Sequence, residues 1–138
     1  MSKDKLNLFL NTLRENFLRE NWDAACAAFN LPLVIYSDAG VVVLRREEQL
    51  LSMLCQYRKA LGKTEVAART LEVEHRDVPT NQRLRATVRF TDFGENGQKI
   101  RHSLIRYFLL EGQGSYKIEM VEFIETSLPM EDVQRIIH

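Results

Sequence analysis

An excess of charge of either sign is missing from this sequence. Its 138 residues carry 19 lysines and arginines against 19 aspartates and glutamates, so the formal net charge is zero. No overall field draws such a chain to nucleic acid or to an anionic membrane, and neither is expected as a partner. Long apolar runs are missing as well: no stretch approaches the roughly 18 apolar residues that a membrane span needs. The opening MSKDKLNLFLNTLREN scatters charge through its apolar positions and holds neither an uninterrupted apolar core nor a small-residue cleavage site, so it does not read as a signal peptide. A cytoplasmic protein is the expectation. Cysteine is scarce, with only Cys26 and Cys55. Both fall in segments that read as helix, and without a secretion signal they are expected to be reduced and structural rather than bridged.

The signatures of several chemistries are also absent. His102 and His138 lie far from any carboxylate or histidine at i, i+4 spacing, and no Cys or His pattern matches a zinc site, so no metal is implied. There is no glycine-rich phosphate loop after a strand and no nucleophile elbow. No cofactor is expected. No repeat, linker or low-complexity stretch divides the chain, and a chain of this length buries roughly two-thirds of its unfolded surface on folding. Residues 1–138 therefore read as one domain.

What is present is a change of hydrophobic period along the chain. Leu6, Phe9, Leu10, Leu13 and Phe17 make one apolar stripe on a helix running to about Glu20. Asn21 is placed to cap a second short helix through the alanine-rich AACAAF. LPLVIY and VVVLR, separated by Ser37, Asp38, Ala39 and Gly40, read as a hairpin. REEQLLSMLCQYRKALG returns to helical spacing at Leu50, Met53, Leu54, Tyr57 and Leu61, with Gly62 where a left-handed cap belongs. From Thr64 onward the period is two, cut by DVPTN, GENG and EGQG into four antiparallel strands. SLPMEDVQRIIH reads as a short closing helix.

Simple hairpin registers place Leu71, Val73 and His75 on one face with Leu84, Ala86, Val88 and Phe90. The same face continues through Ser103, Ile105, Tyr107 and Leu109 to Tyr116, Ile118, Met120, Glu122 and Ile124. This is the expected concave, helix-covered face. The opposite face carries Glu74 opposite Arg85, Arg76 opposite Arg83 and an Arg106 to Glu119 pair, worth tenths of a kcal/mol each. It ends in an apolar patch of Leu104, Phe108, Val121 and Phe123, for which a homodimer interface is the natural cover. A single bulge would reverse every face after it.

The NWDAACAAF segment, the LPLVIYSDAGVVVL hairpin followed by REEQLLSMLCQYRKALG, and the SYKIEMVEFIE strand resemble the nuclear transport factor 2-like superfamily over nearly the whole chain. That superfamily includes polyketide-cyclase-like and ketosteroid-isomerase-like members. The resemblance implies an α+β cone: a curved antiparallel sheet wrapped around N-terminal helices, an apolar cavity inside, and frequent dimers through the outer sheet face. It implies no single activity, because the fold hosts many functions.

Within that frame, proton transfer needs a base and an oxyanion-stabilising acid or tyrosine. Asp38 with Tyr36, Tyr57 or Tyr107 fits those parts, although Asp38 in a Ser-Asp-Ala-Gly turn equally suits a backbone-bonding role. His75, beside Tyr107 on the apolar face, is the other candidate base, or a core or rim histidine with no chemistry. Ser103 and Glu122 are expected to orient the polar end of a ligand, with Tyr36 and Tyr57 near the mouth. Two functions stay open: a cone that binds a small apolar molecule, with or without proton-transfer chemistry, and a non-catalytic homodimeric interaction module.

Overall fold

A computed structural model of the chain describes residues 2–62 and 66–126, with side chains from Lys5 onward. The elements are α1 (Ser2–Leu18), α2 (Trp22–Cys26), β1 (Phe29–Ser37), β2 (Gly40–Leu44), α3 (Glu47–Gly62), β3 (Ala68–Arg76), β4 (Arg83–Phe93), β5 (Lys99–Gly112) and β6 (Ser115–Thr126). The order expected from the changes of period holds throughout; the closing helix lies outside the described residues. The six strands form one curved, unclosed sheet in the order β2-β1-β6-β5-β4-β3. The short turns make every sequential pair antiparallel, and β1 returns parallel to β6. The fold class is α+β.

The apolar stripes of the helices close the concave side. Leu6, Leu10 and Phe17 of α1 and Leu50, Met53, Leu54, Tyr57 and Leu61 of α3 share one buried cluster with the inner face of the sheet. Cys26 is buried and Cys55 half-buried, and neither is bridged. Burial pushes the Cys26 thiol up, with Glu47 adding to the effect. Two local expectations are corrected. Asn21 stands at the start of α2, but its side chain donates to Asn16 Oδ1 at 3.4 Å instead of accepting from the helix. Gly62 ends α3 without a left-handed conformation; the glycines with positive φ are Gly40, Gly97 and Gly114, each in a turn between strands, where the missing Cβ permits it.

Bulges decide which face each strand residue takes. Leu71 and Val73 face inward as expected, but they pair with Phe90 and Val88 rather than with Val88 and Ala86 as the simple register has it; Glu74 is then inserted and His75 pairs with Thr87. The insertion turns His75 to the outer face. Ser103, Ile105, Tyr107 and Leu109 face inward as expected, opposite Phe90, Val88, Ala86 and Leu84. On β6, Glu119 is skipped between Ile118 and Met120, and Ile124 between Phe123 and Glu125. Val121 and Phe123 therefore turn into the core, while Met120 and Glu122 turn out and Ile124 is exposed. This reverses the expected assignment of all five residues. The outer charge pairs shift with it: Arg89–Glu74, Arg85–Asp77, Arg83–Glu119 and Arg106–Glu122 replace the expected partners.

Asp77 ties the β3–β4 connection to β4, accepting from both the backbone N–H and Nε of Arg85 at 3.1 and 2.8 Å. These bonds hold its carboxyl below the usual range. A lowered folded-state value contributes stability above the unfolded value that is lost as pH falls through the folded one. Asp77→Asn is expected to lower the melting temperature at pH 7, where the contribution is fully present, and to converge with the parent as pH falls below about 4, so that its acid limb is flatter. An acid limb identical to that of the parent would remove the contribution assigned to Asp77.

Candidate functional site

The period that places Leu71 and Val73 inside also places Arg69 there, and the period of Val88 and Phe90 does the same for Asp92. The two face each other across β3 and β4, and Arg101 faces Asp92 from β5. Arg69 is 5% exposed and Asp92 0%. Isolated buried charges cost several kcal/mol each, so the pair must be closely bonded to persist. Arg69 Nε donates to Asp92 Oδ1 at 2.7 Å, and Nη2 reaches both Asp92 Oδ2 at 3.4 Å and the Tyr57 hydroxyl at 3.3 Å. The guanidinium carbon lies 4.7 Å from the Phe90 ring centre and 5.5 Å from that of Tyr57, a cation–π setting. Burial opposes the charge on Arg69, but Tyr57 and Asp92 outweigh it and hold the side chain fully protonated.

Beside this pair is a cavity of about 60 Å³ between α1, α3 and the sheet. Its walls are mostly apolar, with Leu10 and Phe17 from α1, Met53 from α3, and Ile105, Val121 and Phe123 from the sheet. Four polar side chains reach it: Arg14, Tyr57, Arg69 and Tyr107. Tyr107 packs edge-on against Phe90 at 6.5 Å, and its hydroxyl makes no hydrogen bond among the described residues. Burial, reinforced by Tyr57 and opposed by Arg69, raises its pKa well above that of a free phenol. Tyr107 therefore stays protonated and acts as a donor.

Of the seven site residues expected from the sequence, the interior brings together Tyr57 and Tyr107. Ser103 is buried at 1% exposure on the same face, opposite Phe90 and outside the cavity lining, with its Oγ unpartnered. The other four lie elsewhere. His75 stands on the outer face with its side chain 69% exposed, 3.4 Å from Asp77. Asp38 is exposed in the β1–β2 turn, where Ser37 Oγ accepts the Ala39 N–H at 3.1 Å. Tyr36 is exposed on the outer face opposite Val41 and Glu122, and Glu122 bonds Arg106 at 2.8 Å. The sequence reading missed Arg69, Asp92 and Arg14. Arg69 and Asp92 were within its reach, since both occupy the inward phase of strand stretches whose faces were correctly assigned, although the pairing register was not. As His75 is remote from the cavity, His75→Ala is expected to change unfolding free energy by under about 0.5 kcal/mol, measured by urea titration.

No protein-family model matches the chain, and no curated protein matches it. Solved structures do. A nuclear transport factor 2-like protein of unknown function from Shewanella oneidensis MR-1 is 14% identical, with a TM-score of 0.65 over 88% of this chain and 98% of that one. A protein of unknown function with a cystatin-like fold from Nostoc punctiforme is 12% identical, with a TM-score of 0.65 over 93% and 94%. A ketosteroid isomerase-like protein from Erwinia carotovora atroseptica SCRI1043 is 12% identical, with a TM-score of 0.58 over 89% and 96%. At these identities the likeness concerns architecture alone. Taken with the element order, the open six-stranded sheet and the helix-covered concave face, it establishes that this chain has the nuclear transport factor 2-like, cystatin-like fold.

Proposed function

We propose that the protein is a binding module that holds one small molecule in the cone, its apolar part against α1 and α3 and its polar end against Arg69, Tyr57 and Tyr107. One observation carries this reading: four polar side chains, Arg14, Tyr57, Arg69 and Tyr107, converge on a cavity that is otherwise apolar, the usual form of a ligand site. Among the described residues the lining includes no carboxylate and no histidine, so proton abstraction has no base there. The reading is therefore retention of a ligand rather than turnover. The unbridged cysteines agree with a reducing compartment such as the cytoplasm. Native mass spectrometry of the protein purified from its own host, compared with the denatured mass, tests the proposal. A retained small molecule is the expected result, and repeated preparations carrying none would count against it.

A second reading, a homodimeric interaction module, has support on the other side of the sheet. Val43, Val34, Met120 and Phe108 follow one another across β2, β1, β6 and β5 on the outer face, an apolar row of the kind that marks an interface. Leu104 lies on the same face, opposite Arg89. The neighbouring row holds the Arg106–Glu122 pair, which offers both signs of charge to a copy related by a two-fold axis. The two readings use opposite faces of one sheet and are compatible.

A further inference from the structure

The geometry points to a specific ligand chemistry for the cone: a short-chain carboxylate, its anionic oxygens received by Tyr107, Tyr57 and Arg69 and its few carbons by the apolar wall. This rests on the reading of the cone as a binding site and adds the sign and size of what binds.

The first argument is hydrogen-bond capacity. Asp92 is the buried acceptor of the cluster, and Arg69 occupies both of its oxygens. What remains toward the cavity is donors. Arg69 uses Nε and Nη2, which leaves Nη1 without an acceptor. The Tyr57 oxygen already receives an N–H from Arg69, so its own O–H must turn elsewhere. The Tyr107 O–H has no partner among the described residues. A ligand that satisfies three converging donors presents acceptors only, and charged acceptors make the stronger bonds.

The second argument is charge. The inner row Arg69, Asp92 and Arg101 places two guanidiniums around one carboxylate. Arg101 is 7% exposed, its Nη1 has no acceptor, and it makes no ion pair among the described residues. Arg101 does not line the cavity; its part is an uncompensated positive charge one strand away. A buried charge without a counter-ion is costly, and an anion in the adjoining space relieves that cost. The outer arginines differ, since Arg83, Arg85, Arg89 and Arg106 each hold an acid.

The third argument is size. The cavity of about 60 Å³ is less than half of the ~150 Å³ that accommodates benzene in a dry apolar core. That limit admits only the smallest carboxylates, with a methyl or at most an ethyl tail, and excludes anything of the bulk of a ring.

The test is an amide-detected NMR titration of the full chain with acetate and propionate, and with acetamide and propionamide as neutral counterparts of the same shape, at pH 7 and constant ionic strength. The carboxylates are expected to shift the amides of Ile105, Val121 and Leu54 and to bind about tenfold more tightly than the amides. Tyr107→Phe removes a hydroxyl with no protein partner, so the fold should persist while carboxylate affinity falls about fivefold or more and amide affinity barely moves. Equal affinity for acids and amides at those cavity positions would overturn the charge preference and leave the binding-module reading intact. Binding of neither would overturn both. Shifts confined to Arg83, Arg85 and Arg89, unaffected by Tyr107→Phe, would assign the anion to the outer surface and overturn the inference.

Discussion

Asp92→Ala is expected to cost about 3–5 kcal/mol, because it leaves Arg69 buried and charged with no counter-ion. Asp92 is fully buried and Arg69 nearly so, so water cannot take the place of the lost carboxylate. The Tyr57 hydroxyl remains as an acceptor at 3.3 Å, and the Phe90 face remains at 4.7 Å. Neither carries a full negative charge. Domains of this size have roughly 5–15 kcal/mol of stability in all, so the variant should melt far below the parent and be partly unfolded at modest urea concentrations. Asp92→Asn keeps one acceptor and should lose somewhat less. The double variant Arg69→Met/Asp92→Leu removes both charges together, and most of the loss should return, since replacing a buried ion pair by apolar groups is often neutral or better. Urea titrations with an unchanged m-value report these differences directly. A loss under 1 kcal/mol for Asp92→Ala would mean that the pair is neither dry nor closely bonded.

The helices, the hairpin and the strand order were legible because each is announced by a change of period or by turn residues. Face assignment survived wherever a strand ran without insertion, as along β4 and along β5 from Arg101 onward. It failed where a bulge intervened, because an extra residue in a ladder is set by backbone geometry and packing rather than by residue type. Glu74 lies in a polar stretch, Glu72 to Arg76 apart from Val73, so nothing in the sequence marks the insertion that carries His75 outward. β6 does leave a trace. Its apolar phase passes from Tyr116 and Ile118 to Val121 and Phe123, and the adjacent Met120 and Val121 are where the two phases meet. The interior ion pair went unread for a different reason. Charged strand residues are almost always outside, and only the cross-strand meeting of Arg69 with Asp92 licenses the exception. Recognising it required following the register of β3 and β4 past the last apolar pair to the next inward position. The four misplaced candidates fall to two causes: His75 and Glu122 follow bulges, while Tyr36 and Asp38 were chosen for side-chain type without a face assignment.

Phe108 and Phe123, which simple pairing puts on one surface patch, are expected to respond in opposite ways to the same substitution. Phe123 lines the cavity and meets the Tyr57 ring at 5.9 Å. Phe123→Glu therefore removes buried aromatic area and installs a carboxylate in an apolar wall, at a cost of about 3–5 kcal/mol or more. Phe108 sits half-buried on the outer face between Arg85 and Met120. Phe108→Glu gives the new carboxylate a neighbouring guanidinium and access to water, so stability of the isolated chain should change by about 1 kcal/mol or less. If the outer row is a homodimer interface, the same change places like charges near a two-fold axis, where juxtaposed acids cost several kcal/mol. The dissociation constant should rise at least a hundredfold, and light scattering should find a folded monomer. A Phe108→Glu protein that remains a dimer would remove that row from the interface. A Phe123→Glu protein as stable as the parent would remove the bulge at Glu119, and with it the inward placement of Val121 on which the cavity depends.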